Sequence, residues 1–515
     1  MTQHSHTEER AVPHRGFITL AVMLATIMQA LDTTIANVAL PHMQGSMSAT
    51  QDQISWVLTS YIVAAAIFMP LTGFLTARFG RKRIFIWSVV GFTITSMLCG
   101  AAQNLSQIVL FRMLQGVFGA ALVPLSQSVL LDSYPREKHG SAMAMWGVGV
   151  MIGPILGPVL GGLLTESYSW RWVFYINLPF GLLAWFGLKK YLGETEIDHA
   201  RRFDLQGFAF LSLVIGALQM MLDRGESLEW FASQEVIIEA VLAGLGAYLF
   251  IVHIHTSRRP FLEPEIFRDR NFSLGLIAIF IIGIILLASM ALLPPFMQSL
   301  MGYPVIDVGY LLAPRGLGTM FGMIVVGKLA GKGDPRHFIL FGLLLTILSL
   351  WEMSWFNTDI TGWTIVRNGI LQGVGLGLIF VPLSTITFAT LPKRYRDEGT
   401  ALFSLMRNIG SSIGISVVIT YLAQNSQANH ATFADYITDF SLPLREAVQA
   451  GVYNLSTDAG LMAINGEVTR QAATLAYLQD FRLMMWVTVC AVPLIFLLRS
   501  PPKQPTPVDI HEAME

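Results

Sequence analysis

Long runs of apolar residues recur along the whole chain, and short polar stretches separate them. Most runs hold about 20 residues or more, and helices of that length, rising about 1.5 Å per residue, would cross a hydrocarbon core of about 30 Å. The pattern therefore predicts an all-α integral membrane protein with fourteen transmembrane helices. The predicted spans are approximately 17–40, 55–76, 84–101, 107–131, 140–165, 171–188, 205–222, 234–254, 272–297, 305–330, 338–356, 363–391, 398–423 and 478–499.

Lysine and arginine are distributed unevenly among the loops between these spans. Alternate loops carry most of them: Arg78, Arg81, Lys82, Arg83, Arg136, Lys138, Lys189, Lys190, Arg201, Arg202, Arg258, Arg259, Arg268, Arg270, Lys332, Arg336, Lys393, Arg394 and Arg396. The intervening loops carry Arg171, Arg224, Arg445 and Arg470. Because cytoplasmic loops of membrane proteins collect Lys and Arg, both tails, 1–16 and 501–515, are predicted to lie in the cytoplasm.

The composition supports a membrane protein and argues against other classes. Of 515 residues, 53% are hydrophobic and only 13% are charged, whereas charged residues usually make up about a quarter of a soluble protein. The formal net charge of −1 argues against nucleic acid as a partner, because no basic excess exists to neutralise phosphates. The two cysteines, Cys99 and Cys490, lie far apart in apolar runs, so no disulfide framework is predicted.

Two stretches of the chain resemble each other. Around span four the sequence is LQGVFGAALVPLSQSVLLDSYPREKHGSA, and around span twelve it is LQGVGLGLIFVPLSTITFATLPKRYRDEGTA. Both stretches run in the same direction across the membrane, and a parallel repeat of this kind predicts two similar bundles around a central cavity. We predict six-helix bundles at 17–190 and 266–500, with two inserted helices at 191–265. A long external loop, 424–477, should become helical from about Asn465 and project beyond the bilayer.

A polar stripe runs along the first span. Thr26, Gln29, Thr33 and Asn37 recur at helical spacing, and Asp32 borders them. An ionised carboxylate inside a bilayer is energetically expensive, so intramembrane acids usually face water or a partner charge. The substrate cavity is therefore predicted to be lined by Gln29, Thr33 and Asn37 of this stripe, and Asp32 is predicted to exchange protons.

Arginines in other spans are candidate partners of Asp32. Arg112 lies at a similar depth in span four, and Arg315 in span ten is an alternative at comparable depth. A neighbouring arginine would either tune a proton-exchanging acid or form a permanent pair that only fixes helix packing. Besides the polar stripe, the predicted cavity contains Gln115, Arg315, Gln372 and Arg407.

Two glycine-containing segments are predicted to serve the conformational change. GFLTARFGRKRIF, between spans two and three, places Gly73 and Gly80 where a turn or close contact is needed and Arg78 and Arg81 in a basic loop. Span five reads GVGVMIGPILGPVLGG, in which a small residue at every fourth position lets a neighbouring helix approach closely. The residues of this second segment are Gly149, Gly153, Pro154, Gly157, Pro158 and Gly161.

These segments resemble those of a known family. The loop that starts at Gly73 resembles the signature loop of the major facilitator superfamily, although Ala77 stands where the family usually has Asp. Span five resembles the antiporter motif of exporters in that superfamily. Together with LDTTIANVALP, WVLTSYIVAAAIFMPLTG, SWRWVFYINLPFG and LDRGESLEWFASQEV, they are similar to the fourteen-helix drug:proton antiporters of the EmrB/QacA type, from about residue 17 to 500.

The resemblance implies a function. It implies export of hydrophobic drugs across the bacterial inner membrane by alternating access, driven by the proton gradient without a cofactor. Asp32 and Arg112 would then carry the proton coupling. The most similar members of this family work with a periplasmic adaptor protein and an outer-membrane channel, so both are expected partners.

Other functions stay open at this point. The chain could export one specific metabolite or siderophore, take up a solute together with protons, or act as a sensor that moves no solute; the span-five motif argues against uptake. A membrane-embedded enzyme would need a catalytic constellation, and the sequence contains no phosphate-binding loop or assembled catalytic motif. No metal site is predicted, because no carboxylate or cysteine cluster accompanies His253 and His255.

Overall fold

The computed structural model describes residues 14–195, 197–199, 202–258, 260–329, 333–438, 441–450, 454 and 457–499. The predicted tails therefore lie outside the described residues, apart from positions 14–16. The α-helices of the described chain are α1 (Arg15–Met47), α2 (Gln51–Phe68), α3 (Leu71–Phe79), α4 (Arg81–Ala101), α5 (Leu105–Gly119), α6 (Leu122–Ser133), α7 (His139–Ser167), α8 (Trp172–Tyr175), α9 (Asn177–Tyr191), α10 (Leu205–Arg224), α11 (Gln234–Thr256), α12 (Arg270–Pro295), α13 (Val305–Leu329), α14 (Pro335–Met353), α15 (Gly362–Ala389), α16 (Arg396–Asp435), α17 (Leu442–Gln449) and α18 (Asp458–Leu497). Short 3₁₀ turns occupy Arg136–Lys138, Trp230–Ala232, Pro264–Arg268 and Lys393–Tyr395, and a π-helical turn, Phe296–Leu300, extends α12.

The number of helices able to cross a membrane is close to the predicted number. Within the described chain, twelve helical segments are long and apolar enough, and a thirteenth span results if the bent pair α2–α3 is counted as one. The all-α membrane architecture is thus confirmed. The predicted count of fourteen is not confirmed, because two of the predicted spans are interrupted helices.

Proline explains both interruptions. The second predicted span bends by 56° between α2 and α3, where Pro70 lacks the N–H that would donate to the carbonyl of Ala66. The sixth predicted span is divided at Ile176 between α8 and α9. There Pro179 likewise cannot donate to the carbonyl of Tyr175, so the helical hydrogen-bond ladder is interrupted.

The helices form two groups. In the first, α1 packs against α7 and α9, and α4 packs against α5 and α9; in the second, α12 packs against α16, and α15 packs against α13 and α14. The groups meet where α7 lies against α13 and where α3 and α6 lie against α16. We call the end of the bundle that carries Arg81, Arg136 and Arg396 the basic end.

The apolar cores show how the two groups are joined. Toward the basic end, a single cluster takes in buried residues of both groups, such as Leu130 and Ala401. Toward the opposite end each group has its own cluster, one around Phe174 and the other around Phe296 and Phe481. The two groups are therefore closed together at the basic end and separately packed at the other.

Helix α10 contacts both groups. On one side Thr59 of α2 donates a hydrogen bond to Asp223. On the other side Gln219 and Ser412 of α16 exchange hydrogen bonds of 2.8 and 3.2 Å. The next helix, α11, packs mainly on α10 and exposes most of its apolar surface. The inserted pair thus lies along the outside of the junction between α2 and α16.

Helices α16 and α18 are each 40 residues long, or about 60 Å, which is roughly twice the thickness of a hydrocarbon core. Their extensions, 424–435 and 458–477, pair with each other, and we call them the projecting hairpin. Asn429 Nδ2 donates to the carbonyl of Ala472 at 3.3 Å, and His430 bonds Asn465 at 3.0 Å. The expected polar loop is therefore largely helical, and its second helix begins earlier than Asn465, at Asp458, where Thr457 caps it.

Candidate functional site

A buried acid–base pair lies at the centre of the first group. Asp32 of α1 and Arg112 of α5 are 0% and 1% exposed, and Arg112 Nη1 is 2.6 Å from Asp32 Oδ2. Gln115 Nε2 and Asn177 Nδ2 both donate to the other carboxylate oxygen, at 2.8 and 2.9 Å. The carboxylate thus receives three hydrogen bonds, one of them from a cation, which is the arrangement that a buried negative charge requires.

The guanidinium of Arg112 is held from several sides as well. Its Nε donates to the carbonyl of Val57 at 3.1 Å, and its central carbon lies 4.3 Å from the ring centroid of Tyr61. The Tyr61 hydroxyl in turn accepts a hydrogen bond of 3.2 Å from Gln29. Through Tyr61 the buried pair is therefore linked to the predicted polar stripe of α1.

The break between α8 and α9 supplies one member of this site. Asn177 is the first residue of α9, and its Nδ2 also donates to Ser96 Oγ at 2.9 Å. Ser96 in turn donates to the carbonyl of Phe174 at 2.9 Å. Asn177 was not among the predicted site residues, although an asparagine just before Leu-Pro in an apolar run is a usable signal for a polar helix break.

The polar stripe of α1 lies as the periodicity predicts, although its members differ in exposure. Gln29 and Thr33 are half-buried, Asn37 is exposed and Thr26 is buried. Thr33 donates to the carbonyl of Ala30 at 2.9 Å, and Thr26 donates to its own helix as well. Gln29 and Asn37 have the longest side chains of the stripe. Among the described contacts, neither side chain is hydrogen-bonded to the backbone of α1.

The second group brings its own polar residues to the interior. Arg315 is buried and donates to Ser289 Oγ at 2.8 Å and to the carbonyl of Leu286 at 3.3 Å. Arg315 therefore does not pair with Asp32, and that alternative is wrong because its guanidinium is turned toward α12. Gln372 is buried and its Nε2 lacks a partner among the described residues, whereas Arg407 is half-buried.

The glycines of span five face α1 rather than the second group. A methyl group added at Gly153 would lie 2.4 Å from the carbonyl carbon and oxygen of Ala30, and one at Gly157 would lie 2.1 Å from Thr34 Oγ1. Thr34 also donates to the carbonyl of Gly153 at 3.0 Å. Gly149 and Gly161 approach Met23 and Ile35 in the same way, and Pro154 and Pro158 lie within α7 beside the stripe. The stripe therefore positions the helix that carries Asp32.

The other side of α7 contacts the second group. Methyl groups added at Gly147 and Gly316 would lie 2.5 Å from Met323 Sδ and 2.2 Å from Ile155 Cγ1, respectively. Helix α7 thus packs closely on α1 with one face and on α13 with another. A shift of α7 would therefore displace helices of both groups.

A network of charges joins the two groups at the basic end. Arg81 Nη1 is 2.5 Å from Asp132 Oδ2, and its Nε is 2.9 Å from Asp397 Oδ1. Asp132 also pairs with Arg396, and Asp397 accepts a hydrogen bond from Ser128. Residues of the first group (81, 128 and 132) are thus bonded directly to residues of the second (396 and 397), which holds this end closed.

The signature loop lies within this closed interface. A methyl group at Gly73 would lie 2.9 Å from the Cα and Cβ atoms of Glu398, so the two groups approach closely there. Gly80 has a φ of +89°, a conformation that glycine adopts readily, and it turns the chain from α3 into α4. Arg78 donates to the carbonyl of His199. Ala77 stands where the family usually has Asp and cannot pair with a cation. In this protein Asp397 of the second group supplies a carboxylate to Arg81.

No metal centre is formed by the described residues, since they contain no group of three or more His, Cys, Asp or Glu side chains that could hold an ion. His253 instead contacts Asp204 at 2.8 Å, and His255 bonds the backbone of its own helix. Asp204 also caps α10. These two histidines thus stabilise the inserted helices.

Two helical groups with a polar interior, joined at one end by charge contacts, are the architecture of a membrane transporter. The sequence profile of the Major Facilitator Superfamily matches residues 22–415, and the chain belongs to this superfamily. The fold is shared with the human organic anion transporter MFSD10 (TETRAN), whose crystal structure gives a TM-score of 0.61 over 92% of this chain and 100% of that one, at 13% identity.

Two named bacterial proteins are similar to nearly the whole chain. The chain is 35% identical over 488 residues to the fatty acid resistance protein FarB of Neisseria gonorrhoeae, covering 94% of this chain and 96% of that protein. It is 33% identical to the multidrug export protein EmrB of Escherichia coli K12 over the same length, covering 94% and 95% of the two chains. The resemblance to exporters of the EmrB type is thus confirmed.

Proposed function

We propose that this protein is a proton-driven exporter of hydrophobic toxic compounds across the bacterial inner membrane. The observation that carries the proposal is the fully buried Asp32–Arg112 pair beside the polar stripe of α1. An acid inside a membrane bundle is a candidate proton carrier by default, because its charge is costly unless it is paired or protonated. Relatives named as multidrug export and fatty acid resistance proteins support hydrophobic compounds as substrates.

The transport cycle follows from the closed basic end. In the described conformation the basic end is closed, so a compound would leave, and a proton would enter, at the opposite end. Asp32 accepts it, so that –COO⁻ becomes –COOH and the attraction to Arg112 weakens, while Arg112 keeps its bond to the Val57 carbonyl. The change between α1 and α5 is passed to α7 through the glycine stripe, and the basic end opens. The proton then leaves to the cytoplasm, and the next compound binds.

The membrane topology belongs to the same proposal. Counting α2–α3 and α8–α9 as one interrupted span each gives fourteen spans, with α10 and α11 as the inserted pair. The basic end would face the cytoplasm, in line with the excess of Lys and Arg there, and both tails would lie on that side. The proton gradient is the energy source, so no cofactor is required.

The central experiment uses purified protein in liposomes with an imposed pH gradient. Fluorescent hydrophobic dyes and fatty acids should move in the direction opposite to the protons, and dissipating the gradient with an ionophore should stop them. Movement in the same direction as the protons would identify an uptake symporter instead. If correctly folded protein moves no compound of a broad panel, the proposal fails and a sensor or a single-substrate exporter becomes the better reading.

The projecting hairpin is proposed to bind a periplasmic adaptor protein, which would connect the pump to an outer-membrane channel. It is a pair of helices that extends well beyond the span, and it presents exposed apolar residues, with Leu461 52% and Met462 74% exposed. Exposed apolar groups outside the bilayer are characteristic of protein contacts. The resemblance to pumps that work in tripartite assemblies points to an adaptor as the partner.

Replacing residues 428–462 by a short Gly/Ser linker tests this docking surface. The linker removes the contacts of Asn429 and His430 but leaves all spans, so transport in liposomes should persist. Resistance of whole cells to the exported compound should fall, because the compound must be handed across the periplasm. Unchanged resistance together with unchanged adaptor cross-linking would show that the adaptor binds elsewhere.

A further inference from the structure

A second buried carboxyl group lies in the other half of the molecule. Asp480 of α18 is 0% exposed, and neither of its carboxyl oxygens has a hydrogen-bond partner among the described residues. Asp32, which is equally buried, receives three such bonds. The two acids therefore differ in the feature that decides whether a buried carboxylate can keep its charge.

The surroundings of Asp480 are apolar. Tyr477, one turn earlier, and Phe481 pack on Phe296 with ring centroids 5.4 and 6.3 Å apart. Met484, one turn later, belongs to the same buried cluster. Because positions 477, 480 and 484 share one face of a helix, the carboxyl group of Asp480 lies on the face that meets this cluster.

The helices packed around α18 offer little compensating charge. The stretch 271–300 of α12 and its π-helical turn contains no titratable residue. In the last turn of α14, Glu352 is already bonded to Arg367 and Asn368. In the remaining packed stretches, 400–423 of α16 and 477–497 of α18, the other titratable residues are Arg407, Tyr421, Tyr477, Arg482 and Cys490. None of them is hydrogen-bonded to the Asp480 carboxyl group.

An ionised carboxylate in such a place would be very unfavourable. Burying a charge without a partner or hydrogen bonds costs far more than burying the neutral acid, and a group in this position takes up a proton instead. In this conformation the neutral –COOH form of Asp480 is therefore the stable one. The carboxylate form would be stable only when water or a cation reaches the group.

We propose that Asp480 is a second proton-binding site of the transporter, carrying a proton in the conformation that is closed at the basic end. This inference rests on the proposed proton-driven export. When the groups rearrange and water reaches this face of α18, –COOH releases H⁺ to water and becomes –COO⁻. The reverse step restores the described state.

The contact between α16 and α18 continues next to this site. The residue before Asp480, Gln479, accepts a hydrogen bond of 3.3 Å from Asn429 Nδ2 in the partner helix of the hairpin. Asp480 thus lies at the point where the hairpin enters the membrane core. A movement of α16 relative to α18 changes the packing over this acid directly, so proton binding here is coupled to the conformation of the second group.

The test replaces Asp480 by Asn, which has the shape of the protonated acid but cannot release a proton. In liposomes, Asp480→Asn should retain exchange of compound at equal pH but move fewer protons per compound than the wild type. Asp359→Asn, at an exposed loop acid near the same end, is the matched control and should behave as the wild type does. A proton-to-compound ratio for Asp480→Asn equal to that of the wild type would overturn the inference.

An infrared measurement keeps the inference testable if the variant transports poorly. A conformation-specific binder would hold the wild-type protein in the conformation that is closed at the basic end. In that state the wild type should show an infrared absorption of a protonated carboxyl group that Asp480→Asn lacks. Absence of that difference would also overturn the proposal. If the wild type itself does not respond to a pH gradient, the proposed function is wrong. The infrared difference alone then decides whether Asp480 binds a proton.

Discussion

Asp32→Asn should abolish proton-driven export while the protein still inserts into the membrane. Asparagine keeps the size of the side chain and can still accept from Gln115, but it cannot bind and release a proton. The variant also leaves Arg112 as an uncompensated buried cation, and breaking a buried pair in this way costs about 3–5 kcal/mol. Resistance in cells lacking other pumps and pH-driven transport in liposomes should both fall to background, and the thermal unfolding temperature should decrease.

The stability effect must be separated from the loss of proton coupling. The double variant Asp32→Asn/Arg112→Gln removes both charges, so the buried site is neutral again and the unfolding temperature should recover. If Asp32 carries protons, the double variant stays uncoupled although it is stable. If the pair serves only to hold α1 against α5, the double variant should regain pH-driven transport, and the proposed role of Asp32 would be wrong.

Gly153→Leu should also eliminate transport, by displacing α1. Even the first carbon of the new side chain would lie 2.4 Å from the Ala30 carbonyl, so the backbone of α1 must move. Overpacking of this kind costs at least about 1–3 kcal/mol. Ala30 lies two positions before Asp32, so the 2.6 Å contact with Arg112 should be disturbed, which would abolish pH-driven transport and lower the unfolding temperature.

The same helix offers a matched control for this prediction. Gly162 has no atom within 4 Å of the position of an added methyl group, so Gly162→Leu introduces an equal side chain at a position that faces open space. Gly162→Leu should transport as the wild type does. Equal activity of Gly153→Leu and Gly162→Leu would show that the close contact between α7 and α1 is dispensable.

The sequence predicted the Asp32–Arg112 pair because depth in a membrane helix follows directly from counting residues. Arg315 has a comparable depth and was the alternative partner, since depth does not reveal which way a side chain points around the helix axis. That direction depends on tertiary packing, which turns Arg315 toward Ser289. Asn177 was missed for the same reason. The sequence shows that Pro179 interrupts the helix, but it does not show that the Asn177 side chain reaches Asp32.

The contacts at the basic end were predictable only in part. The loop sequence identified Arg81, but its partners Asp132 and Asp397 lie 51 and 316 positions away along the chain. Such a contact depends on how the two groups dock. Much of the projecting hairpin was predicted to be a loop, because helices that face water on most sides lack a wide apolar stripe. Polar pairs such as His430–Asn465 hold these helices together instead.

The contacts of α10 bear on how the chain assembles during synthesis. The ribosome delivers the first group of helices before the second, and such units generally fold in order of synthesis. The bond between Thr59 and Asp223 can form as soon as α10 is inserted. Gln219 is then already in place when Ser412 arrives, almost 200 residues later in the chain. Through these contacts α10 is attached to the finished half at the position where α16 later docks.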